Sequence, residues 1–222
     1  MTNLTRSPRA DVVDAIERLG VVAVIRLKDA GALRGTIDAL AAGGVRALEV
    51  TMTVPGAVEL IAEIAPQLPA GFLVGAGTVL DAPTAKRVIA AGAQFVVSPV
   101  LSRQVIDECH DADVTVMPGC FSPTEIFDAW TAGADVVKVF PATALGPTFF
   151  KDIRAPLPQL KLMPTGGVSI ENAGDWIRAG AVAVGIGSAL LDARAIADRR
   201  FDVITSGAQR LVANVAAARA QR

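Results

Sequence analysis

Lys138 stands in the run Asp135-Val-Val-Lys-Val-Phe-Pro-Ala142, between Val136, Val137, Val139 and Phe140. β-Branched and aromatic residues in a run of this length mark a strand buried on both faces, as in a parallel sheet. An ammonium in such a strand loses its hydration, so it must pair with a carboxylate, reach water along its own stem, or give up its proton. The last state is a nucleophile. A neutral amine adds to a ketone, and the resulting iminium draws electrons from the neighbouring carbon, so that C–C cleavage or proton removal becomes possible. Glu49, inside Ala47-Leu-Glu-Val-Thr51, is the second charge of this kind. If the two strands face each other across one pocket, its carboxyl can move the protons of carbinolamine formation and dehydration. The residues alone leave two plainer arrangements open: a Lys138–Glu49 pair that serves stability only, and a Glu49 solvated at a strand end.

Two glycine-rich segments have the composition of an anion cradle. Pro164-Thr165-Gly166-Gly167 and Gly185-Ile-Gly187-Ser188 each end an apolar run and open a helix-like stretch. Backbone amides, helix N-termini and the Ser188 hydroxyl can converge there on a phosphate. Arg26, Glu49, Thr53, Thr78, Pro99, Phe140 and Thr165 lie in or just after other runs and complete the set of candidate site residues with Lys138.

These residues must be positioned by the elements that carry them. The strand candidates are 21–26, 47–51, 72–77, 95–99, 114–119, 136–140, 161–167 and 183–187. Between them run helix-like stretches with Asp29, Asp81, Ser102, Ser122 and Ser169 near their expected N-caps, where side-chain oxygens satisfy free amides. Ala-Gly pairs at 41–44, 90–93, 131–134 and 178–181 supply left-handed C-caps and a quick turn into the next strand. Strand-helix alternation repeated eight times, with strands apolar nearly throughout, predicts an α/β fold, a (β/α)8 TIM barrel, forming a single domain over 1–222. A doubly wound open sheet uses the same unit and is the competing architecture. Residues 8–19 are expected as an extra N-terminal helix across the bottom, and 201–220 as a terminal helix. In a barrel, chemistry sits at the C-terminal ends of the strands, where the polar and glycine residues named above gather.

Composition narrows the partners. The chain has 222 residues, 52% of them apolar, and a net charge of -1, which gives no electrostatic reason to expect nucleic acid or an anionic membrane. Its N-terminus lacks an apolar signal core and no apolar run is long enough to span a bilayer, so a cytoplasmic protein acting on small molecules is expected. Cys109 and Cys120 are expected as reduced structural thiols, with Cys120, after Pro118-Gly119, able to line a site. The single histidine, His110, excludes a multi-histidine metal centre and is expected on a helix surface.

The ordered segments VRALEVTMTVPGA, VGAGTVLD, AQFVVSPVL, VMPGCFSPTEI, DVVKVFPA, LMPTGGVS and GIGSAL, spread from Val21 to Leu190, resemble the class I 2-keto-3-deoxy-6-phosphogluconate (KDPG) aldolase and 4-hydroxy-2-oxoglutarate aldolase family. The resemblance implies a (β/α)8 barrel, usually a trimer, acting on a phosphorylated keto sugar acid and releasing pyruvate. It makes Lys138 the Schiff-base lysine and Glu49 an acid/base working through water. Thr78 and Thr165 become pocket residues near pyruvate, and Gly166, Gly167, Gly187 and Ser188 the phosphate cradle. No metal or other cofactor is implied, because the iminium does the work of a Lewis acid. The chain departs from the family pattern at Thr53, where an arginine often holds the substrate carboxylate, and Arg26 at the end of the first strand is expected to fill that gap. The galactonate epimer and 4-hydroxy-2-oxoglutarate are alternative substrates. A metal-independent sugar-phosphate isomerase or epimerase on the same barrel, or an idle phosphosugar-binding protein, is the rival reading.

Overall fold

The computed structural model describes residues 7–27 and 30–221. Every apolar run named above contains a strand: β1 (Val21–Ile25), β2 (Ala47–Thr51), β3 (Leu73–Gly77), β4 (Phe95–Val97), β5 (Thr115–Met117), β6 (Gly119–Cys120), β7 (Val137–Val139), β8 (Leu162–Pro164) and β9 (Val184–Ile186). The fifth run is split into β5 and β6 at Pro118, which has no amide to donate to a ladder. The helices are α1 (Pro8–Leu19), α2 (Leu33–Ala42), α3 (Ala57–Ile64), α4 (Ala82–Ala90), α5 (Arg103–Asp111), α6 (Pro123–Thr131), α7 (Gly146–Arg154), α8 (Ala173–Arg178), α9 (Ala193–Ala197) and α10 (Phe201–Arg219).

The result is an α/β fold with a parallel, curled sheet. One ladder runs β5-β4-β3-β2-β1-β9 and a second runs β6-β7-β8, with an isolated parallel bridge between Thr165 and Gly185. All the pairings are parallel, as expected of strands that are apolar on both faces.

Strand alternation divides the core in two. Val21, Ala23, Ile25, Leu48, Val50, Val74, Ala76 and Val96 belong to the larger cluster, packed with the helices. Their neighbours Val22, Ala47, Leu73, Phe95 and Val97 join Met117, Val136 and Met163 in a smaller cluster on the other face. The expected N-terminal helix closes that cluster, since Val12, Val13 and Ile16 of α1 pack into it. Each fully buried Val, Ile, Phe or Met among them contributes about 1.5–3 kcal/mol.

The local signals act where sequence put them, with exceptions. Asp81 accepts the Thr84 amide at 2.7 Å, and Ser122 with Glu125 forms a reciprocal capping box. Ser102 sits at an N-cap without a side-chain bond, and Ser169 caps the turn before α8, accepting the Glu171 and Asn172 amides. Asp29 lies outside the described residues. Gly44, Gly92, Gly133 and Gly180 take positive φ just past their helices, as the Ala-Gly pairs predict. Among the described residues no helix is long and apolar enough to cross a membrane.

Candidate active site

Glu49 lies two residues along β2 from Ala47, and Lys138 of β7 is in register with Met163 of β8. Ala47 and Met163 both belong to the smaller cluster, so alternation directs the glutamate and the lysine to the same inner face. Both are buried: Glu49 is 0% and Lys138 2% exposed. Neither Glu49 carboxyl oxygen has a hydrogen-bond partner among the described residues. The Lys138 ammonium nitrogen lies 5.1 Å from the centre of the Phe140 ring.

The electrostatics follow from this isolation. Burial raises the Glu49 carboxyl above the usual carboxylate range, opposed by the positive fields of Lys138 and Arg26. Burial also lowers the Lys138 amine below an ordinary lysine, opposed by Glu49 and reinforced by Arg26. Each group is pushed toward its neutral form, and each feels the other's field. A neutral amine beside a proton-bearing carboxyl is a nucleophile with a proton donor at hand.

Next to them opens a cavity of about 310 Å³, lined by Arg26, Phe140, Thr165, Gly166, Gly167, Gly187 and Ser188 together with Val24, Val168, Ser169, Gly185 and Ala189. Thr165 is 3% exposed and its hydroxyl has no partner among the described residues. Gly166 and Gly167 take φ of 83° and 78° in succession, a left-handed turn that strains any residue with a Cβ. The expected helix N-termini are displaced from this cradle. Helix α8 begins at Ala173 and α9 at Ala193, so the amides at Gly166, Gly167 and Gly187 belong to loops. The cause is local: Asn172 accepts the Ser169 amide at 2.8 Å and donates to the Gly167 carbonyl at 2.9 Å, folding 167–172 into a turn before the helix can start.

Three expected residues stand off this cavity. Thr53 is exposed and shares a 2.6 Å hydroxyl contact with Thr51, which donates to the Ile25 carbonyl at 3.2 Å. Thr78 has φ 59°, an outlier for a β-branched residue, and faces a separate groove with Met52, Leu80 and Asp81. Pro99 packs its carbonyl where a Cβ on Gly119 would stand, 2.4 Å away. Arg26 is exposed, and its Nη1 lies 3.5 Å from the Cβ position of Gly187, which sets it against the glycine loops.

Two further expectations resolve here. His110 is half-buried, not a free surface residue, and its Nε2 contacts the Gly133 carbonyl at 3.0 Å. Cys120 is buried, donates to the Glu125 carbonyl, has its thiol pushed up to about 12 by burial and by Glu125 and Asp128, and is not among the residues that line the cavity. Val24 was missed by sequence reasoning, although it precedes Arg26 by two residues and so shares its face.

The profile of the "KDPG and KHG aldolase" family matches residues 12–206. The chain belongs to this aldolase family. It is 37% identical over 199 residues to a 2-dehydro-3-deoxy-phosphogluconate aldolase of Treponema pallidum (strain Nichols), covering 89% of this chain and 94% of that one. To a probable 2-dehydro-3-deoxy-6-phosphogalactonate aldolase of Rhizobium meliloti (strain 1021) it is 36% identical over 171 residues, 77% of this chain and 81% of the other. Among solved structures it superposes on the KDPG aldolase of Legionella pneumophila, captured with pyruvate as a covalent carbinolamine, with a TM-score of 0.84, 29% identity, and coverage of 93% and 98%. In this aldolase family member, the segments that carry the family resemblance, Glu49-Val-Thr51, Val137-Lys-Val-Phe140, Pro164–Gly167 and Gly185–Ser188, are the ones that build the buried pair and the cavity wall.

Proposed function

We propose that this family member is a Schiff-base (class I) aldolase that cleaves KDPG to pyruvate and glyceraldehyde 3-phosphate. The observation that carries the reading is the pair of buried groups, Lys138 lowered and Glu49 raised, sharing one face beside the cavity. The Lys138 amine adds to the C2 carbonyl, and a proton from Glu49, relayed by water, lets the carbinolamine lose hydroxide as water. The iminium accepts the electron pair of the C3–C4 bond as a base takes the C4 hydroxyl proton. Glyceraldehyde 3-phosphate leaves, the enamine takes a proton at C3, and the water lost earlier is regained when hydrolysis frees pyruvate and the amine. The left-handed Gly166-Gly167 turn, Gly187, Ser188 and Arg26 suit the phosphate end; Thr165, with its unpartnered hydroxyl, suits the keto-acid end. Thr53, Thr78 and Pro99, like Lys138 and Glu49, lie outside the lining of the glycine-loop cavity.

The same reading includes a closed (β/α)8 barrel in a single domain, with β5 and β6 as one strand interrupted at Pro118. The Thr165–Gly185 bridge between the two ladders supports closure. A homotrimer is supported by exposed apolar side chains at neighbouring strand ends, Leu80, Val100 and Phe121, which adjacent copies would cover. A cytoplasmic location accords with two unpaired cysteines.

Incubation with pyruvate and borohydride tests the chemistry, since hydride reduces an iminium and not a carbinolamine. Intact and peptide mass should show one reduced pyruvyl group, on Lys138. Absence of the adduct, or its appearance on Lys151 or Lys161, would refute the mechanism. A second substrate, the galactonate epimer, is supported by one observation, the 36% identity to a probable 2-dehydro-3-deoxy-6-phosphogalactonate aldolase. Pyruvate release measured across the two epimers and 4-hydroxy-2-oxoglutarate separates them by kcat/KM.

A further inference from the structure

Gly77 is the last residue of β3, paired with Thr51 of the strand that carries Glu49. A Cβ built there would fall 1.9 Å from Glu49 Oε1, 2.6 Å from Cδ and 2.7 Å from Cγ, the three nearest heavy atoms outside Gly77 and its chain neighbours. Its backbone is not left-handed, so no turn demands glycine at this position. Two residues earlier, Gly75 is equally crowded, but by the Phe95 ring at 2.3 Å, which belongs to the apolar core. The same strand therefore contributes one gap to packing and one gap to a carboxyl.

That carboxyl has no hydrogen bond to fix it. A glutamate side chain has several staggered rotamers within reach, and proton transfer loses efficiency steeply when the donor is misplaced by about 1 Å. We propose that Gly77 is a positioning residue for the reaction: the space left by its missing side chain seats the Glu49 carboxyl within the field of Lys138, and a side chain there drives the carboxyl out. This rests on the reading that Glu49 moves protons, and it adds a determinant that acts through Glu49.

The test is a set of variants, Gly77→Ala, Glu49→Ala, the double variant, and Gly75→Ala, assayed for kcat, KM, borohydride capture of pyruvate and thermal midpoint. Gly77→Ala should lower kcat by about 10²-fold, within the range of a lost general acid/base, with KM changed only a few-fold and Lys138 still captured. Once Glu49 is alanine, adding Gly77→Ala should change kcat less than about twofold and cost no further thermal stability, because the atoms it would strike are gone. Gly75→Ala should lose stability in both backgrounds alike. Should Gly77→Ala not fold, the double variant still must fold as well as Glu49→Ala. The proposal is overturned if Gly77→Ala is fully active while Glu49→Ala is impaired, or if its cost is the same in both backgrounds. Full activity of Glu49→Ala would instead bring down the acid/base reading itself, and this inference with it.

Discussion

The inner face of the sheet carries two levels of side chains drawn from the same strands. The lower level, Val22, Ala47, Leu73, Phe95, Met117, Val136 and Met163, is apolar and closed by α1. The upper level holds Glu49, Lys138 and Thr165, each two residues on from Ala47, Val136 and Met163, with Gly77 and Gly185 where side chains would collide with Glu49 and Thr165. Below, the buried side chains are apolar and pack in one cluster. Above, two ionisable groups and a hydroxyl are buried, and both carboxyl oxygens and the hydroxyl lack hydrogen-bond partners among the described residues. Stability and reactivity are thus separated by about one strand repeat, and the lower level offsets the cost of the upper.

Exchanging one level for the other has the largest effect. Lys138→Met removes the nucleophile and should cut turnover by about 10⁴-fold or more. It also removes a buried amine without a neutralising partner in contact, so the thermal midpoint should rise, by the equivalent of about 1–3 kcal/mol. The gain depends on pH. In the folded chain the amine is held below its ordinary 10.5, so between the folded value and 10.5 the unfolded chain binds the extra proton. Wild-type stability then climbs with pH, and the advantage of methionine is greatest at low pH and shrinks toward about pH 10.5. Calorimetry of both proteins from pH 6 to 10 measures it; a variant less stable across that range would place Lys138 among the stabilising residues.

The converse change is made at Phe95, which is fully buried in the lower level. Phe95→Ala should cost about 3–5 kcal/mol of stability by urea denaturation. Below its melting range, however, the folded fraction should still capture pyruvate on Lys138. Loss of capture by folded protein would show that the two levels are coupled and not merely stacked.

Much of this arrangement can be read from the chain, and the misreadings have physical causes. The apolar runs became strands because a parallel strand covered on both faces leaves no polar positions to obscure it. Their C-terminal limits are expected too far along at Pro99 and at Gly166-Gly167, which lie past β4 and β8, whereas Thr165 still bridges to Gly185 and Ser98 still donates to the Met117 carbonyl. Lys138 and Glu49 stand out because charge is rare in such runs. Thr78 faces a groove of its own on a left-handed backbone, a turn that a β-branched residue does not announce in sequence. Gly77 and Gly166 look the same in sequence. One is a steric gap and the other a left-handed turn, and only the neighbours tell them apart.

Arg26 gives the smallest expected effect and the sharpest division of the upper level. It was expected to replace the missing arginine at Thr53, yet its guanidinium lies on the Gly187 side, against the glycine loops. Thr53 is meanwhile tied to Thr51, whose hydroxyl is spent on the Ile25 carbonyl. An exposed guanidinium at this place suits the phosphate end of the substrate, where a charged hydrogen bond contributes about 1.5–3 kcal/mol. Arg26→Ala should therefore raise KM for phosphorylated keto acids by about 10–100-fold and weaken inhibition by glyceraldehyde 3-phosphate in parallel. The extent of pyruvate capture at saturation should stay close to wild type. Its pH dependence should not: burial is the main cause that keeps the Lys138 amine low, but Arg26 adds to it, so removing that cation raises the amine and moves the acid limb of capture to higher pH. Pyruvate capture weakened as much as phosphate inhibition would return Arg26 to the keto-acid carboxylate. An unmoved pH limb would mean that burial and Glu49 set the state of Lys138 without Arg26.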